Sequence, residues 1–469
     1  LDSNPIVNSK EKKMKSNLTQ FSRRQFLQAS GAGLAGLALA ACAAPGVAPA
    51  SGGEAGSAAT SSEAVTLKVM NQNWGELYND LMTKIGEAFT EEHPNITVEW
   101  EFPPEWEAKL LTDVAGGTAP DATYTNLDRQ ATLAAKNTFV ALDDFVQAGG
   151  YKTDDFVAAL YQASIYNGKL YALPGGADYI TMFWSKDVYT AANLDPEAAP
   201  KTADELIEHS KSILKKDANG DIEVAGYLPN SGHFVRWAFL YGGEFYDAAN
   251  NKITANHPAN IQALQWVADY IQLLDVDKLT AFAARPGYSE AGNPFSTKQS
   301  AYLLNGFWAY EALDQYAPDI DYAIATWPTI NGKEEEMRNY EIGGWMYGIP
   351  NGAKYPDLGW EFLKYAFIDE AAKMGYLTLN GPCYKPTFAA FEEGLRKQMG
   401  EDNRMSPYLN TFTLTGQYGE KFWPAIEVNA FYRDEINRIY DFVVRGEKTA
   451  EEGLNEVTAN VQAELDKAG

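Results

Sequence analysis

The chain has 469 residues, 45% hydrophobic and 13% aromatic, enough apolar material for a large core in two or three domains, which excludes global disorder. Sixty-three acidic residues against 38 basic ones leave a net charge of −25, which argues against nucleic acid as a partner, because phosphate binding rests on clustered Lys and Arg. Two cysteines, Cys42 and Cys383, and four histidines without H-E-x-x-H spacing build no disulfide framework, zinc site or iron–sulfur site, so neither a metal nor a cofactor is expected.

The first segment reads as an address. Arg23 and Arg24 precede an uncharged Ala, Gly and Leu stretch from Gly31 to Ala44, shorter than the roughly twenty residues a membrane span needs. The paired arginines resemble a twin-arginine export signal. Leu39, Ala40, Ala41 and Cys42 resemble a bacterial lipobox, in which Cys42 becomes the lipidated first residue of the mature chain. Met14 reads as the start, residues 1–41 as the signal peptide and 42–64 as a flexible tether rich in Ala, Gly and Ser. Gly31, Gly33 and Gly36 match G-x-G-x-x-G literally, but they follow no strand and lie in the apolar run, so they are no dinucleotide site.

The body alternates strands and helices. A β-branched strand at 65–70 precedes a helix over 76–93 with Leu77, Leu81, Met82, Ile85 and Phe89 on one face, ended by Pro94. A strand at 96–100, a helix from Trp106 to Ala115 and a short strand at 121–124 complete a βαβαβ opening, which predicts a mostly parallel sheet. Residues 260–274 carry Ile261, Leu264, Val267, Ile271 and Leu274 at helical spacing. Thr449 and Glu452 form a capping box ahead of Leu454, Val457, Val461 and Leu465. Asp217 to Asp221 is reminiscent of a calcium loop, but the sixth and twelfth positions are Ile222 and Leu228, so a helix-to-strand turn is expected.

Several segments in order resemble the sugar-binding branch of the extracellular solute-binding proteins of ABC importers, which includes maltose-binding proteins. They are residues 116–129, 142–145, 168–174, 183–188, 305–310 and 343–350. The resemblance runs from about residue 65 to the C-terminus. It implies an α/β, two-lobed periplasmic-binding-protein-like fold, each lobe a mostly parallel sheet flanked by helices, joined by a hinge. Residues 65–178 and 321–384 are expected in lobe 1, and 179–320 and 385–469 in lobe 2. The chain crossings are expected near 174–179, 321–328 and 382–386.

A sugar offers apolar C–H faces and a rim of hydroxyls, which suit aromatic rings beside Asp, Glu, Asn and Arg. Trp74 follows the first strand among polar neighbours, and Asp178 sits at the first crossing. The resemblance places an Asp-Arg pair at Asp128 and Arg129 with the Asp facing ligand hydroxyls, although Thr125 and Asn126 replace an aromatic before it. It makes Trp308 a stacking ring, and Trp345 follows the flexible Gly343 and Gly344. One of His233, Phe234 and Trp237 is expected to turn inward, and Phe431 with Tyr432 corresponds to a third stacking position. The expected ligand-binding set is Trp74, Asn126, Asp128, Asp178, Phe234, Trp308, Trp345 and Phe431. Trp100, Trp266, Trp327 and Trp360 read as core.

The function expected is high-affinity extracytoplasmic capture of a mono- or oligosaccharide by hinge closure and delivery to an ABC permease, by a lipid-anchored monomer that is not an enzyme. One rival is the same fold binding a polyamine or another solute. Another is an exported glycoside hydrolase, which requires two carboxylates about 5–10 Å apart.

Overall fold

The computed structural model describes residues 64–468. The signal segment, Cys42 and the tether up to residue 63 lie outside the described residues. The body opens with β1 (Val65–Met70), α1 (Glu76–Glu92), β2 (Ile96–Glu101), α2 (Trp106–Gly116) and β3 (Ala122–Asn126). β1 pairs in parallel with β2, Val65 opposite Ile96, and with β3, Val69 opposite Ala122. The helices between them are the crossovers that parallel neighbours require. Leu67 and Val69 alternate into the core. α1 buries Tyr78, Met82, Ile85 and Phe89, while Leu77 and Leu81 lie at the margin of that face. α1 comes so close to β2 that a side-chain carbon on Gly86 would meet the Trp100 indole nitrogen at 2.6 Å.

β4 (Leu173–Asp178) then leads directly into β5 (Thr181–Ser185), the centre of a second sheet. Around it fold α3 (Ser231–Leu240), α4 (Pro258–Leu274), β6 (Tyr302–Asn305) and β7 (Tyr322–Ala325). β6 and β7 both pair with β5 antiparallel, Asn305 opposite Thr181 and Ala325 opposite Met182. The mostly parallel sheet expected of the second lobe is therefore a three-stranded antiparallel one. The reason is geometric: β5 enters from the first lobe and runs away from it, while β6 and β7 run back towards it. β8 (Gly343–Gly348) obeys the same rule in reverse. It returns to the first sheet between β3 and β4, antiparallel to both, giving the order β2-β1-β3-β8-β4.

Three segments pass side by side between the sheets, at 177–180, 341–343 and 380–382. Gly343 is opposite Asp178, and Ala177 exchanges both backbone hydrogen bonds with Gly381, at 2.8 and 3.1 Å. Residues 321–340, expected in the first lobe, belong with the second. β7 finds its backbone partners on β5, and Trp327 and Tyr340 are buried in that lobe's core, Trp327 lying 5.6 Å from Trp237. The return accordingly comes at 341–343 rather than 321–328. The last passage comes at 380–382, ahead of the expected 382–386. Residues after it do not all join the second lobe: Phe391, Leu395 and Phe412 share a third apolar cluster with Tyr179, Phe183, Phe307 and Met346.

The chain ends in α5 (Asn429–Val444) and α6 (Ala450–Ala468). The Thr449 hydroxyl accepts from the Glu452 N–H at 3.1 Å, and the Glu452 carboxylate accepts from the Thr449 N–H at 3.0 Å, the capping box read from the sequence. Trp327 and Trp360 are core residues, whereas Trp100 and Trp266 are only partly buried. Residues 217–221 form the turn of a small hairpin between two strands, not a helix-to-strand turn; Asp217 accepts from the N–H groups of Asn219 and Asp221, and Asp221 pairs with Lys278. Among the described residues no helix is long and apolar enough to cross a membrane.

Candidate binding cleft

The strands that run towards the lobe junction deliver their following residues into one cleft of about 530 Å³, within the size range of small-molecule sites. From the first lobe come Trp74 after β1, Tyr78 in the first turn of α1, and Asn126 and Asp128 at the end of β3. Trp345 stands opposite Asn126 in the ladder. Trp74 meets Tyr124 edge-on at 5.4 Å and Trp345 at 5.9 Å, so these rings form one aromatic wall. Trp345 is only 6% exposed. Its ring lies on β4, where a side-chain carbon on Gly175 or Gly176 would come within 2.3 or 2.5 Å of it. It therefore shows the cleft a margin, not a face.

From the second lobe come Trp308, Tyr288, Arg236, Trp423 and Arg433. Trp308 follows β6 and is half-buried. It folds back over Gly306, where any side chain would clash with the ring at 2.0 Å. The Tyr78 hydroxyl donates to the Trp308 carbonyl at 2.7 Å, joining the lobes. Burial raises the Tyr78 and Tyr124 phenols far above their ordinary range, so both remain protonated donors.

The Asp-Arg pair is tied into interlobe bridges. Arg433 lies 3.9 Å over the Trp423 ring and reaches Asp128 at 2.9 Å and Glu341 at 3.2 Å. Arg129 binds Asp434 at 2.9 Å and lies 3.4 Å from Glu107. Asp128 thus has one oxygen held by Arg433 and faces the cleft with the rest of its carboxylate. Asp178 is different. Among the described residues nothing hydrogen-bonds its carboxylate, and burial pushes its pKa up to about 6, with Arg236 opposing and Glu341 adding to the rise.

Of the expected residues, Trp74, Asn126, Asp128, Asp178, Trp308 and Trp345 come together in the cleft. Phe234 and Phe431 do not. Phe234 is fully buried in the second lobe's core, edge-on to Phe245, and Phe431 is 40% exposed outside the cleft. None of His233, Phe234 and Trp237 lines the cleft; Ser231, Gly232 and Arg236 of the same helix do. His233 stacks on Tyr227, and burial, then Arg236, lowers its pKa to about 3. Tyr78, Tyr124, Tyr288, Glu341, Trp423 and Arg433 escaped the sequence reading.

Three cleft residues carry a buried polar atom with no protein partner: the side-chain oxygens of Asn126 and Asn380, and Nε of Arg236. Buried polar groups are normally paired; these three atoms are covered by protein, so the cleft is met by the other polar atoms of the same side chains.

Residues 73–373 match the bacterial extracellular solute-binding protein family. The arabinooligosaccharide-binding protein of Bacillus subtilis (strain 168) is 24% identical over 407 residues, 84% of this chain and 88% of that one. The maltooligosaccharide ABC transporter solute-binding lipoprotein of Streptococcus pneumoniae (strain ATCC BAA-255 / R6) is 23% identical over 368 residues, 76% of this chain and 78% of that one. The solved structure of CpMnBP1 with mannotriose bound superposes with a TM-score of 0.71 at 24% identity, covering 85% of this chain and 100% of that one. With the two lobes, the crossing segments and the cleft between them, this match makes the chain a member of the bacterial extracellular solute-binding protein family.

Proposed function

We propose that the chain captures a neutral mono- or oligosaccharide in this cleft and hands it to an ABC importer permease without breaking a bond. The observation that carries the reading is the cleft lining: the rings of Trp74 and Trp308 stand with Asn126, Asp128, Asp178 and Arg236 around one space. A hydroxyl both donates and accepts, so a polyol matches the carboxylates, the amide and the guanidinium, while Trp74 and Trp308 take its C–H faces. Relatives named for arabinooligosaccharide and maltooligosaccharide binding support the same class. Arg236 and Arg433 on the wall disfavour a polyamine.

Ligand that touches both lobes binds the closed arrangement better than an open one, and so shifts the equilibrium towards closure. The passages at 177–180, 341–343 and 380–382 serve as the hinge, since a few crossing residues can absorb a rigid-body swing. The lipobox supports anchoring of a monomeric body at the outer membrane face through Cys42, and the pneumococcal relative is itself named a lipoprotein.

Titration calorimetry with neutral saccharides tests the reading. A dissociation constant near 1 μM corresponds to about −8 kcal/mol. Binding of a polyamine in place of any sugar, or release of shortened sugar during the titration, contradicts it.

A further inference from the structure

The helix that was expected to supply a stacking ring supplies a guanidinium instead. α3 turns His233, Phe234 and Trp237 into its own lobe and leaves Ser231, Gly232 and Arg236 on the cleft. The Arg236 side chain is only 17% exposed, and its Nε is buried without a hydrogen-bond partner. The nearest carboxylate oxygen, on Glu341, is 3.9 Å from that nitrogen, too far for a hydrogen bond. Glu341 is drawn instead to Arg433 at 3.2 Å. The Trp327 and Tyr340 rings lie 5.9 and 6.0 Å from the guanidinium carbon, so the two rings flank the group.

The N-terminus of α3 adds donors at the same place. The Asn230 side chain accepts from the His233 N–H at 2.9 Å. Helix geometry leaves the N–H groups of Ser231 and Gly232 without intrahelical acceptors. A side-chain carbon on Gly232 would lie 3.9 Å from Arg236 Nη1, so the guanidinium and the free helix end share one corner. These donors stand beside the carboxylates of Glu341 and Asp178, which share the cleft with them.

We infer that Arg236, with the first turn of α3, is the specificity-determining donor corner of the cleft and takes an acceptor oxygen of the bound saccharide. This rests on the cleft being a saccharide site and adds which end of the ligand is read there. The acceptor belongs either to a neutral sugar, as a ring, glycosidic or hydroxyl oxygen, or to the carboxylate of a uronic acid. A ligand lacking an acceptor at that point leaves a desolvated guanidinium unpaired, a penalty that rejects it.

The test is calorimetry on the full chain, as wild type, Arg236→Gln and Arg236→Lys. The probes are mannotriose, maltotriose, arabinotriose and trigalacturonate, and thermal midpoints of the unliganded proteins are measured in parallel. Arg236→Gln should weaken the tightest probe on the order of ten- to a hundredfold, with Arg236→Lys in between. The unliganded midpoint should fall by no more than about 2–4 °C, the effect of losing the 3.9 Å pair with Glu341. A tightest probe that is neutral assigns the acceptor to a sugar oxygen; trigalacturonate as tightest probe, with the largest loss in Arg236→Gln, assigns it to a carboxylate. Arg236→Gln binding within about twofold of wild type overturns this inference alone, and so does a midpoint that falls in proportion to affinity, which marks a structural residue. A wild type that binds none of the four overturns the saccharide reading together with it.

Discussion

Arg433 holds Asp128 of the opposite lobe at 2.9 Å while its guanidinium carbon lies 3.9 Å over the Trp423 ring. The contact decides what Asp128 can do. An aspartate already accepting from a guanidinium is fixed in orientation, so it offers a ligand an aimed oxygen and not a mobile one. The same contact closes the cleft across the lobes, beside Arg129 with Asp434 and Tyr78 with Trp308.

These bridges should bias the empty protein towards closure. Arg433→Ala should raise the radius of gyration of unliganded protein in small-angle scattering, and added salt should move wild type the same way by screening the more exposed Arg129–Asp434 pair. In a double-mutant cycle on ligand affinity, Asp128→Asn and Arg433→Ala should show coupling on the order of 1 kcal/mol. Additive effects, with unchanged scattering, mean that the bridge contributes nothing to closure.

The two cleft tryptophans should separate binding from stability. Trp308 is half-buried and offers the cleft a ring, so Trp308→Ala should weaken saccharide binding by about 1–3 kcal/mol with a small change in melting temperature. Trp345 is wedged among β4, Tyr347 and Phe367. Trp345→Ala should empty that space and cost about 3–5 kcal/mol of stability, visible as a lowered denaturant midpoint. Equal loss of stability in the two variants contradicts the distinction.

Glycine under Trp308 is a sharper probe of ring placement. A methyl group on Gly306 collides with the indole at 2.0 Å, so Gly306→Ala should displace the ring from the cleft. Overpacking of this kind costs about 1–3 kcal/mol. Affinity should fall as far as it does in Trp308→Ala, and adding Gly306→Ala to Trp308→Ala should change nothing further. Unaltered affinity in Gly306→Ala means that the ring does not stack on the ligand.

The sequence carried the alternation of strands and helices, the long helices and the strand-end loops, because apolar periodicity and capping are local. It did not carry helical phase at the cleft. Phe234 and Arg236 are two residues apart on α3, and Phe431 and Arg433 two apart on α5. Two residues are about 200° of helix, so naming the aromatic put the cleft on the wrong side of both helices. Partners on loops and crossings outside these helices decide that phase: Phe234 packs on Phe245, while Arg433 is drawn to Asp128 and Glu341. Likewise the resemblance put a chain crossing at 321–328, but β7 finds its pairing partner on β5 and stays in the second lobe. The phase itself is testable. Phe431→Ala should leave saccharide affinity unchanged, and Phe234→Ala should cost about 3–5 kcal/mol of stability, whereas the reverse pattern in calorimetry and denaturant melts restores the aromatic assignment.

Asp178 sets a pH dependence whose sign follows from its environment. Burial raises its carboxyl to about 6, above the ordinary value of 3.8. A carboxyl raised in the folded state binds its proton more tightly there than in the unfolded chain. Its contribution to stability is therefore fully present below pH 3.8 and is lost as pH rises through 6. Saccharide binding runs the other way. The ionised carboxylate accepts from sugar hydroxyls, and at one pH unit below its pKa only about a tenth of it is ionised. Affinity should thus fall by roughly tenfold between pH 7 and pH 5. Asp178→Asn should bind more weakly at pH 7 but with a flat profile, because its amide oxygen accepts at every pH. Calorimetry at both pH values on the two proteins checks this. A wild-type profile as flat as that of Asp178→Asn shows that this carboxylate does not accept from the ligand.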